Sequence, residues 1–164
     1  MSSLNQHSRQ TYCAVVKCVP GDERFVAADL ISRFFGNAVI LRTERGKPYI
    51  ADAPNIHFNI SHTKGYAAIA AAERAVGIDI ELYERLDNLR DPERFARRVF
   101  HPNEIASELS RAELWTRKEA YLKMLGTGFT ESSHLLNTLD VTDARIWRIF
   151  SDGAALCTVS VALR

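Results

Sequence analysis

The sequence lacks the features that define several large protein classes. Its apolar runs fall short of the roughly 18 residues that a membrane-spanning helix needs, and the polar stretch 1–10 has no apolar core of a signal peptide. The formal net charge of +1 at pH 7 gives no reason to expect a nucleic acid or an anionic membrane as a partner. We therefore expect a cytoplasmic protein that binds neither, and we expect it to be a monomer.

Cysteine is scarce, and its spacing argues against a disulfide framework. The chain has three cysteines, Cys13, Cys18 and Cys157, with no C-x-x-C pair among them. An odd number cannot pair completely within one chain, so we expect reduced, buried thiols. The chain also has no G-x-x-x-x-G-K-[ST], G-x-S-x-G or H-E-x-x-H motif, so a P-loop, a nucleophile elbow and a zincin site lack their signatures.

The sequence does have the composition and periodicity of a mixed globular protein. Apolar residues make up 46% and charged residues 25% of its 164 residues, which suits one domain or two small halves that share an interface. Apolar and β-branched segments predict strands at 12–19, 39–43, 57–60, 66–72, 75–81, 144–150 and 155–163. Capping signals and apolar periodicity predict helices at 23–35, 92–99, 103–109 and 111–125.

These elements predict an α+β fold with antiparallel strands. The three strands between residues 56 and 81 are typical of a meander, in which each strand pairs with the next. The polar, charge-rich link at 83–90 is the best internal boundary. It divides the chain into an N-terminal half, 1–83, and a C-terminal half, 84–164.

The helix predicted at 111–125 carries the residues around which a site can form. Glu119 and Lys123 lie four residues apart and therefore share one face. Lys118 lies instead among the apolar residues of the buried face, where a lone ammonium is costly and needs an anion nearby. The apolar residues of that face are Leu114, Leu122 and Leu125. One carboxylate and two lysines at the edge of a buried face indicate a site for phosphate and metal.

An acidic pair precedes this helix in the sequence. Asp79 and Glu81 alternate with aliphatic residues in the strand 75–81, so both lie on one face. Two interpretations fit this pattern. With Glu119 the pair forms a hard oxygen-ligand set suited to Mg²⁺; alternatively, the two carboxylates form the solvated side of an edge strand, which the spacing alone favours.

Two short loops carry polar groups that suit a phosphate. Ser61 and His62 lie where a strand meets a turn, and Lys47 lies between Gly46 and Pro48. Taken alone, each has a simpler interpretation: ordinary turn hydrogen bonds for the Ser-His-Thr run, and a solvated turn lysine for Lys47. A zinc site at His62 is not expected, because no cysteine or second histidine lies near it.

Three blocks of residues occur in the sequence, and their combination in this order is highly specific. They are Gly46-Lys47-Pro48 with Asn59-Ile60-Ser61-His62, then Gly77-Ile78-Asp79-Ile80-Glu81, then Trp115-x-x-Lys118-Glu119-Ala120-x-x-Lys123. In this arrangement the chain, from about residue 29 to 163, resembles the 4′-phosphopantetheinyl transferases of the surfactin-synthetase-activating (Sfp) type. A lone G-I-D-I-E would be a weak signal.

The resemblance implies an enzyme that moves the 4′-phosphopantetheine arm of coenzyme A onto a serine of an apo acyl or peptidyl carrier protein and releases 3′,5′-ADP. It assigns Mg²⁺, with Mn²⁺ as an alternative, to Asp79, Glu81 and Glu119. It assigns coenzyme A contacts to Lys47, Ser61, His62, Lys118 and Lys123. The catalytic residues are then Asp79, Glu119 and Lys123, with Glu119 the simplest acceptor of the serine proton, directly or through water.

The family fold implied by the resemblance is a pair of α+β halves related by a pseudo-two-fold axis, with the site at their interface. The chain departs from the family in its first half. Only about 28 residues precede the matching helix, where family members usually carry a basic, histidine-containing helix that contacts the adenine and the 3′-phosphate. Arg24 and Arg33 are the basic residues available for that role.

A basic and aromatic segment after the acidic pair is a candidate docking surface for an acidic carrier protein. We expect Arg94, Arg97 and Arg98 to contact the carrier, next to Phe95 and Phe100; the alternative is a solvated helix face with both phenylalanines in the core.

Two other functions fit the candidate site residues. One is a non-catalytic module that binds a carrier or a nucleotide, and the other is a Mg²⁺-dependent hydrolase of a nucleotide pyrophosphate.

Overall fold

The computed structural model describes residues 10–44 and 46–164. Arg45, in the predicted loop 44–48, lies outside the described residues. The strands are β1 (Thr11–Lys17), β2 (Ile40–Arg42), β3 (Pro48–Ile50), β4 (His57–Thr63), β5 (Tyr66–Ala72), β6 (Val76–Leu82), β7 (Ala144–Ser151) and β8 (Ala155–Ala162). The helices are α1 (Glu23–Phe35), α2 (Tyr83–Asp87), α3 (Pro92–Val99), α4 (Pro102–Ile105) and α5 (Arg111–Leu125), with a 3₁₀ turn at Ser133–Leu135.

Two three-stranded antiparallel sheets form the framework, which confirms the predicted α+β class. The first has the order β1-β5-β4 and the second β6-β8-β7, while β2 and β3 form a separate hairpin. In both sheets the first strand in the sequence leads to helical structure, and the last strand lies in the middle. The two sheets therefore repeat one connection pattern.

The predicted meander is wrong in its last strand. β4 and β5 pair as expected, but β6 pairs with β8 rather than with β5. The reason is burial: the aliphatic face of β6, with Ile78 and Ile80, packs against one face of β5 and against β8 in a core between the two sheets. The division at residue 83 stays a prediction, although this pairing assigns the last strand before it to the second sheet.

The central strand β5 shows why the sheets stack closely. Its sequence is almost entirely alanine, and all seven residues are buried. One face, with Ala68 and Ala70, belongs to the core between the sheets, and the other, with Ala67 and Ile69, belongs to the core beneath α1. Small side chains on both faces allow close packing of the two layers, as expected for a strand buried on both sides.

Most of the predicted elements are confirmed, with a few corrections. The residues predicted as a polar link include the short helix α2, and the three-residue strand β3 was not predicted because it is brief and begins at Pro48. Asp22 precedes α1 without a side-chain capping bond; the neighbouring Glu23 instead accepts the backbone N–H groups of Gly21 and Gly65. Within the described residues, none of the helices is long and apolar enough to cross a membrane.

The cysteines are free, as expected. Cys157 is buried in the core between the sheets, whereas Cys13 and Cys18 are only half-buried.

Candidate active site

The site begins with the close contact of α5 and β6. A Cβ atom on Gly77 would lie 2.0 Å from the carbonyl oxygen of Ala120 and 2.4 Å from the backbone nitrogen of Met124. Only glycine fits there, because any side chain would overlap the helix backbone. This contact lays α5 directly across the strand that carries Asp79, so Lys123 on the helix reaches that carboxylate.

Asp79 lies at the centre of the site. It is 5% exposed, and its Oδ1 accepts hydrogen bonds from Lys123 Nζ at 2.6 Å and from Ser61 Oγ at 2.9 Å. Its Oδ2 is buried and has no hydrogen-bond partner. Burial raises the pKa of Asp79, and Lys123 and Ser61 oppose that rise. The carboxylate therefore keeps one oxygen free to bind a further cation.

Glu81 is the second buried carboxylate of the strand. It accepts a hydrogen bond from Thr63 Oγ1 at 2.8 Å and one from the backbone N–H of Leu82. Arg85, one helical turn further along in α2, forms an ion pair with its other oxygen. The interpretation of Asp79 and Glu81 as a solvated strand face is therefore wrong, because α5 and β4 cover both side chains.

Glu119 is the third carboxylate, supplied by α5. Burial raises its pKa, followed by the negative charge of Asp79, while the positive charges of Lys123 and Arg85 oppose the rise. Glu119 lies one helical turn before Lys123, the residue that pairs with Asp79. A carboxylate with a raised pKa holds a transferred proton more readily than an exposed one.

The donor set suits a hard divalent cation. Within residues 10–44 and 46–164, no three His, Cys, Asp or Glu side chains are arranged to hold a metal ion as they stand; Lys123 and Arg85 pair with Asp79 and Glu81 instead. The unpartnered Oδ2 of Asp79 and the three oxygen donors nevertheless fit Mg²⁺, which prefers carboxylates and water.

Ser61 and His62 do not act as one pair. Ser61 Oγ contacts Asp79 and Lys123 and accepts the backbone N–H of Ile80. His62 follows it in β4 and therefore points to the opposite face of the strand. Phe58 and Ile60 lie on that same face and pack in the core beneath α1. The structure thus places Ser61 in the site and His62 at an exposed position on the other side of the strand.

Lys47 joins the site through the end of α5. Its Nζ donates to the carbonyl oxygens of Lys123 and Met124, at 2.9 and 3.0 Å. A cation there bonds to carbonyl oxygens in the last turn of α5 and lies at the negative end of the helix dipole. Burial lowers the pKa of Lys47. The predicted solvated turn lysine is therefore wrong, because the side chain is partly buried and bonded.

The structure directs Lys118 away from these carboxylates. Its side chain is 0% exposed and forms an ion pair at 2.6 Å with Glu104, which is also 0% exposed. The ammonium donates further to the carbonyl oxygens of Val99, Ser133 and Leu136. The expectation of a nearby anion is confirmed, but that anion is Glu104. The predicted contact of Lys118 with coenzyme A and its phosphates is therefore corrected: no part of Lys118 is accessible.

A family comparison is consistent with this arrangement. The model of the 4′-phosphopantetheinyl transferase superfamily matches residues 75–162, which is more than half of the chain and includes β6 and α5. The chain belongs to the 4′-phosphopantetheinyl transferase superfamily.

Named relatives carry the same description. The 4′-phosphopantetheinyl transferase gsp of Aneurinibacillus migulanus is 37% identical over 101 residues, which cover 56% of this chain and 40% of the relative. The corresponding values are 35% over 98 residues, 56% and 42%, for psf-1 of Bacillus pumilus, and 33% over 92 residues, 53% and 41%, for Sfp of Bacillus subtilis strain 168. In each of these three matches, the aligned part of the chain spans less than half the length of the relative.

The predicted docking surface of this transferase-family chain is basic, and the groove beside it also includes aromatic side chains. The arginines of α3 are exposed, and they line an open groove between α3 and the segment 129–134. Phe100 is buried and Phe95 packs against Trp115 in the core. The alternative, with the phenylalanines in the core, is therefore correct for Phe100, whereas Phe95 packs against the core and also lines the groove.

Sequence reasoning missed two contributions to the site, from Arg85 and Asn59, and one to the core, from Glu104. Arg85 stands four residues after Glu81, a spacing that indicates an ion pair if the segment is helical. Glu104 forms a capping box with His101, but its bond to Lys118 has no sequence signal. Asn59 Oδ1 accepts the backbone N–H of Ile78, so β4 supports β6 through side chains rather than through a ladder.

Proposed function

We propose that this protein transfers the 4′-phosphopantetheine arm of coenzyme A to a serine of an apo acyl or peptidyl carrier protein, with release of 3′,5′-ADP. The observation that carries the proposal is the buried contact of Asp79 with Lys123 and Ser61 where β4, β6 and α5 meet, in a member of the superfamily. Glu81 lies two residues from Asp79 on the same face of β6, and Glu119 lies one helical turn before Lys123 in α5. We propose that it acts as a monomer in the cytoplasm, without nucleic acid or membrane.

Mg²⁺, with Mn²⁺ as an alternative, belongs to this proposal. Asp79, Glu81 and Glu119 would hold it, and the free Oδ2 of Asp79 supports that assignment. When bound, such an ion neutralises charge on the diphosphate oxygens. The chain's own residues then have to position the two reactants and handle one proton.

The proposed chemistry is a displacement at phosphorus. The carrier serine Oγ forms a bond to the phosphorus of the pantetheine phosphate, and the bond from that phosphorus to the bridging oxygen of 3′,5′-ADP breaks. Glu119 accepts the serine proton, for which its raised pKa is suited. Lys123, 27% exposed, offsets the charge that develops on the leaving oxygen.

Coenzyme A would be bound by residues around this centre. Lys123 and Ser61 are supported by their contacts with Asp79. For Lys47 to contact a phosphate, its Nζ would have to leave the carbonyls at the end of α5. His62 can contribute only to a part of coenzyme A that passes around the other face of β4. Lys118 is not part of the proposed contact set.

The test is intact-protein mass spectrometry of apo carrier proteins incubated with this protein, coenzyme A and Mg²⁺. A matched reaction contains EDTA, and another omits the protein. We expect a gain of one phosphopantetheine on the carrier serine that EDTA abolishes. Release of 3′,5′-ADP without a modified carrier would favour the pyrophosphate hydrolase, and carrier binding without transfer would favour the non-catalytic module.

Carrier docking on α3 is a second part of the proposal. Arg94, Arg97 and Arg98 present positive charge beside the groove, and carrier proteins are generally acidic near the modified serine. Reversing the charge of Arg97 and Arg98 together should raise the apparent KM for the carrier about tenfold, because each lost contact also becomes a repulsion. The KM for coenzyme A serves as the internal control; an unchanged carrier KM would contradict the docking assignment.

A further inference from the structure

The two buried carboxylates of β6 are each held by a cation that reaches in from the surface. Lys123 pairs with Asp79, and Arg85 pairs with Glu81. The cations are 27% and 63% exposed, whereas the carboxylates are 7% and 4% exposed. A buried carboxylate without a partner is costly, so each pair keeps a negative charge stable inside the protein.

Arg85 is held in place from two sides. It lies one helical turn after Glu81, and its guanidinium carbon is 5.9 Å from the centre of the Trp115 ring. Trp115 in turn stacks on Phe129 with a separation of 5.1 Å between ring centres. A planar guanidinium can slide over an aromatic face without losing that contact, so Arg85 can leave Glu81 and remain at the mouth of the site.

The charge balance of the site gives a physical reason for Arg85 to leave Glu81. Asp79, Glu81 and Glu119 supply three negative charges, against two positive charges from Lys123 and Arg85. A divalent cation among the carboxylates makes the positive charge of Arg85 unnecessary and repels it. A diphosphate brought in with the cation restores the negative charge that an arginine fork can bind.

We propose that Arg85 is an exchangeable counter-ion of the metal site: it holds Glu81 in the metal-free protein, leaves it when a divalent cation binds, and then pairs with the diphosphate of the substrate. This inference rests on the proposed metal-dependent transfer. It assigns Arg85 two opposing effects, competition with the metal and attraction of the diphosphate.

The opposing effects define the experiment, which needs no catalytic turnover. Binding of Mn²⁺ alone is measured from the electron paramagnetic resonance signal of free Mn²⁺. Binding of inorganic pyrophosphate is then measured by calorimetry at saturating Mn²⁺. Arg85→Gln should bind Mn²⁺ about three- to tenfold more tightly, because a competing charge is removed. It should bind pyrophosphate about tenfold more weakly, because a charged bidentate contact is lost.

Two variants control for structural damage. Arg148→Gln removes an arginine from an ion pair with Glu113 outside the site and should change neither affinity. Arg85→Lys keeps the charge, so its Mn²⁺ affinity should return toward that of the wild type, while its pyrophosphate affinity should recover only in part. If Arg85 had only a structural role, Arg85→Gln would bind both Mn²⁺ and pyrophosphate more weakly.

Each remaining outcome has one meaning. Equal or weaker Mn²⁺ binding by Arg85→Gln would overturn the counter-ion role and leave the proposed transfer intact. Tighter Mn²⁺ binding with unchanged pyrophosphate binding would overturn the contact with the diphosphate. If the wild-type protein binds no Mn²⁺ at all, the metal-dependent function itself is contradicted, and the inference with it.

Discussion

The two halves of the molecule, taken here as the sheet β1-β5-β4 with α1 and the sheet β6-β8-β7 with α5, share a connection pattern but differ in the side chains they carry. β1 and β6 occupy equivalent positions at the edge of their sheets, and α1 and α5 are the main helices that follow them. α1 contributes Ala27 and Leu30 to a core, and none of the candidate metal carboxylates. β6 and α5 contribute all three candidate metal carboxylates as well as Lys123. The repeated framework therefore carries the candidate metal carboxylates in one copy only.

The difference between the halves begins with how closely the helix approaches the sheet. α1 meets its sheet through side chains, with Leu30 packed near Ile69. α5 meets β6 backbone to backbone at Gly77. The first arrangement separates helix and strand by a layer of side chains, whereas the second removes that layer at Gly77 and brings Lys123 of the helix to Asp79 of the strand.

The first half contributes by supporting the second. Three alternate residues of β4 face the edge of β6: Asn59 and Ser61 accept backbone N–H groups, and Thr63 donates to Glu81. At a separate contact, Lys17 Nζ lies 2.6 Å from Asp152 and Tyr66 donates to the same carboxylate. The site thus depends on a junction that neither half forms alone.

The largest expected effect comes from the buried lysine of α5, which has no equivalent in α1. Lys118→Met leaves Glu104 charged and uncompensated in the core, so the free energy of unfolding should fall by about 3–5 kcal/mol. Chemical denaturation measures this loss. Adding Glu104→Gln to the same chain should recover part of it, and the exposed Lys64→Met should cost less than about 0.5 kcal/mol. A Lys118→Met protein of wild-type stability would contradict the structural role.

Removing the close approach at Gly77 should have the next largest effect. Gly77→Ala forces α5 away from β6, with an expected loss of about 3 kcal/mol and an altered environment of Glu119 and Lys123. Thermal and chemical unfolding would measure the loss. The control is Gly128→Ala, where φ is +65° but no atom lies within 4 Å of the added carbon, and where about 1 kcal/mol is expected. Equal costs at the two positions would contradict the account of close packing.

Much of this could be predicted from the sequence, for identifiable reasons. The bounds of α5 follow from the Ser110–Glu113 capping box and from the glycine after its last residue. The shared face of Asp79 and Glu81 follows from strand alternation. Both signals are local, so they do not depend on how the rest of the chain folds.

Most of the predictions that failed concern contacts between residues that are far apart in the sequence. Alternation of apolar residues in β6 predicts a strand but does not say whether β5 or β8 will pair with it. The anion for Lys118 could equally have been a phosphate, since the sequence does not show that Glu104 lies beneath α5. The two-residue period of β4 is enough to separate Ser61 from His62, but the strand was predicted to end at residue 60, before both of them, whereas it extends to Thr63.

A smaller effect is expected at the contact of Asp152 with the first half. The bond to Lys17 above all holds the pKa of Asp152 well below its ordinary value of 3.8, so its contribution to stability is complete above that value and is lost as the pH falls through the lower, folded-state value. The difference in unfolding free energy between the wild type and Asp152→Asn should therefore be constant above about pH 5 and shrink on acidification. Urea denaturation between pH 3 and 7 measures it; a difference independent of pH would contradict this linkage.

The central claim is that the carboxylates at the junction carry out transfer, and Glu119 tests it most directly. The rate at which a carrier protein gains phosphopantetheine should be measured by intact-protein mass spectrometry for the wild type, Glu119→Gln and the exposed control Glu108→Gln, with circular dichroism to verify folding. The account predicts a loss of at least about 100-fold in Glu119→Gln and no change in Glu108→Gln. Transfer by a folded Glu119→Gln protein at close to the wild-type rate would contradict it.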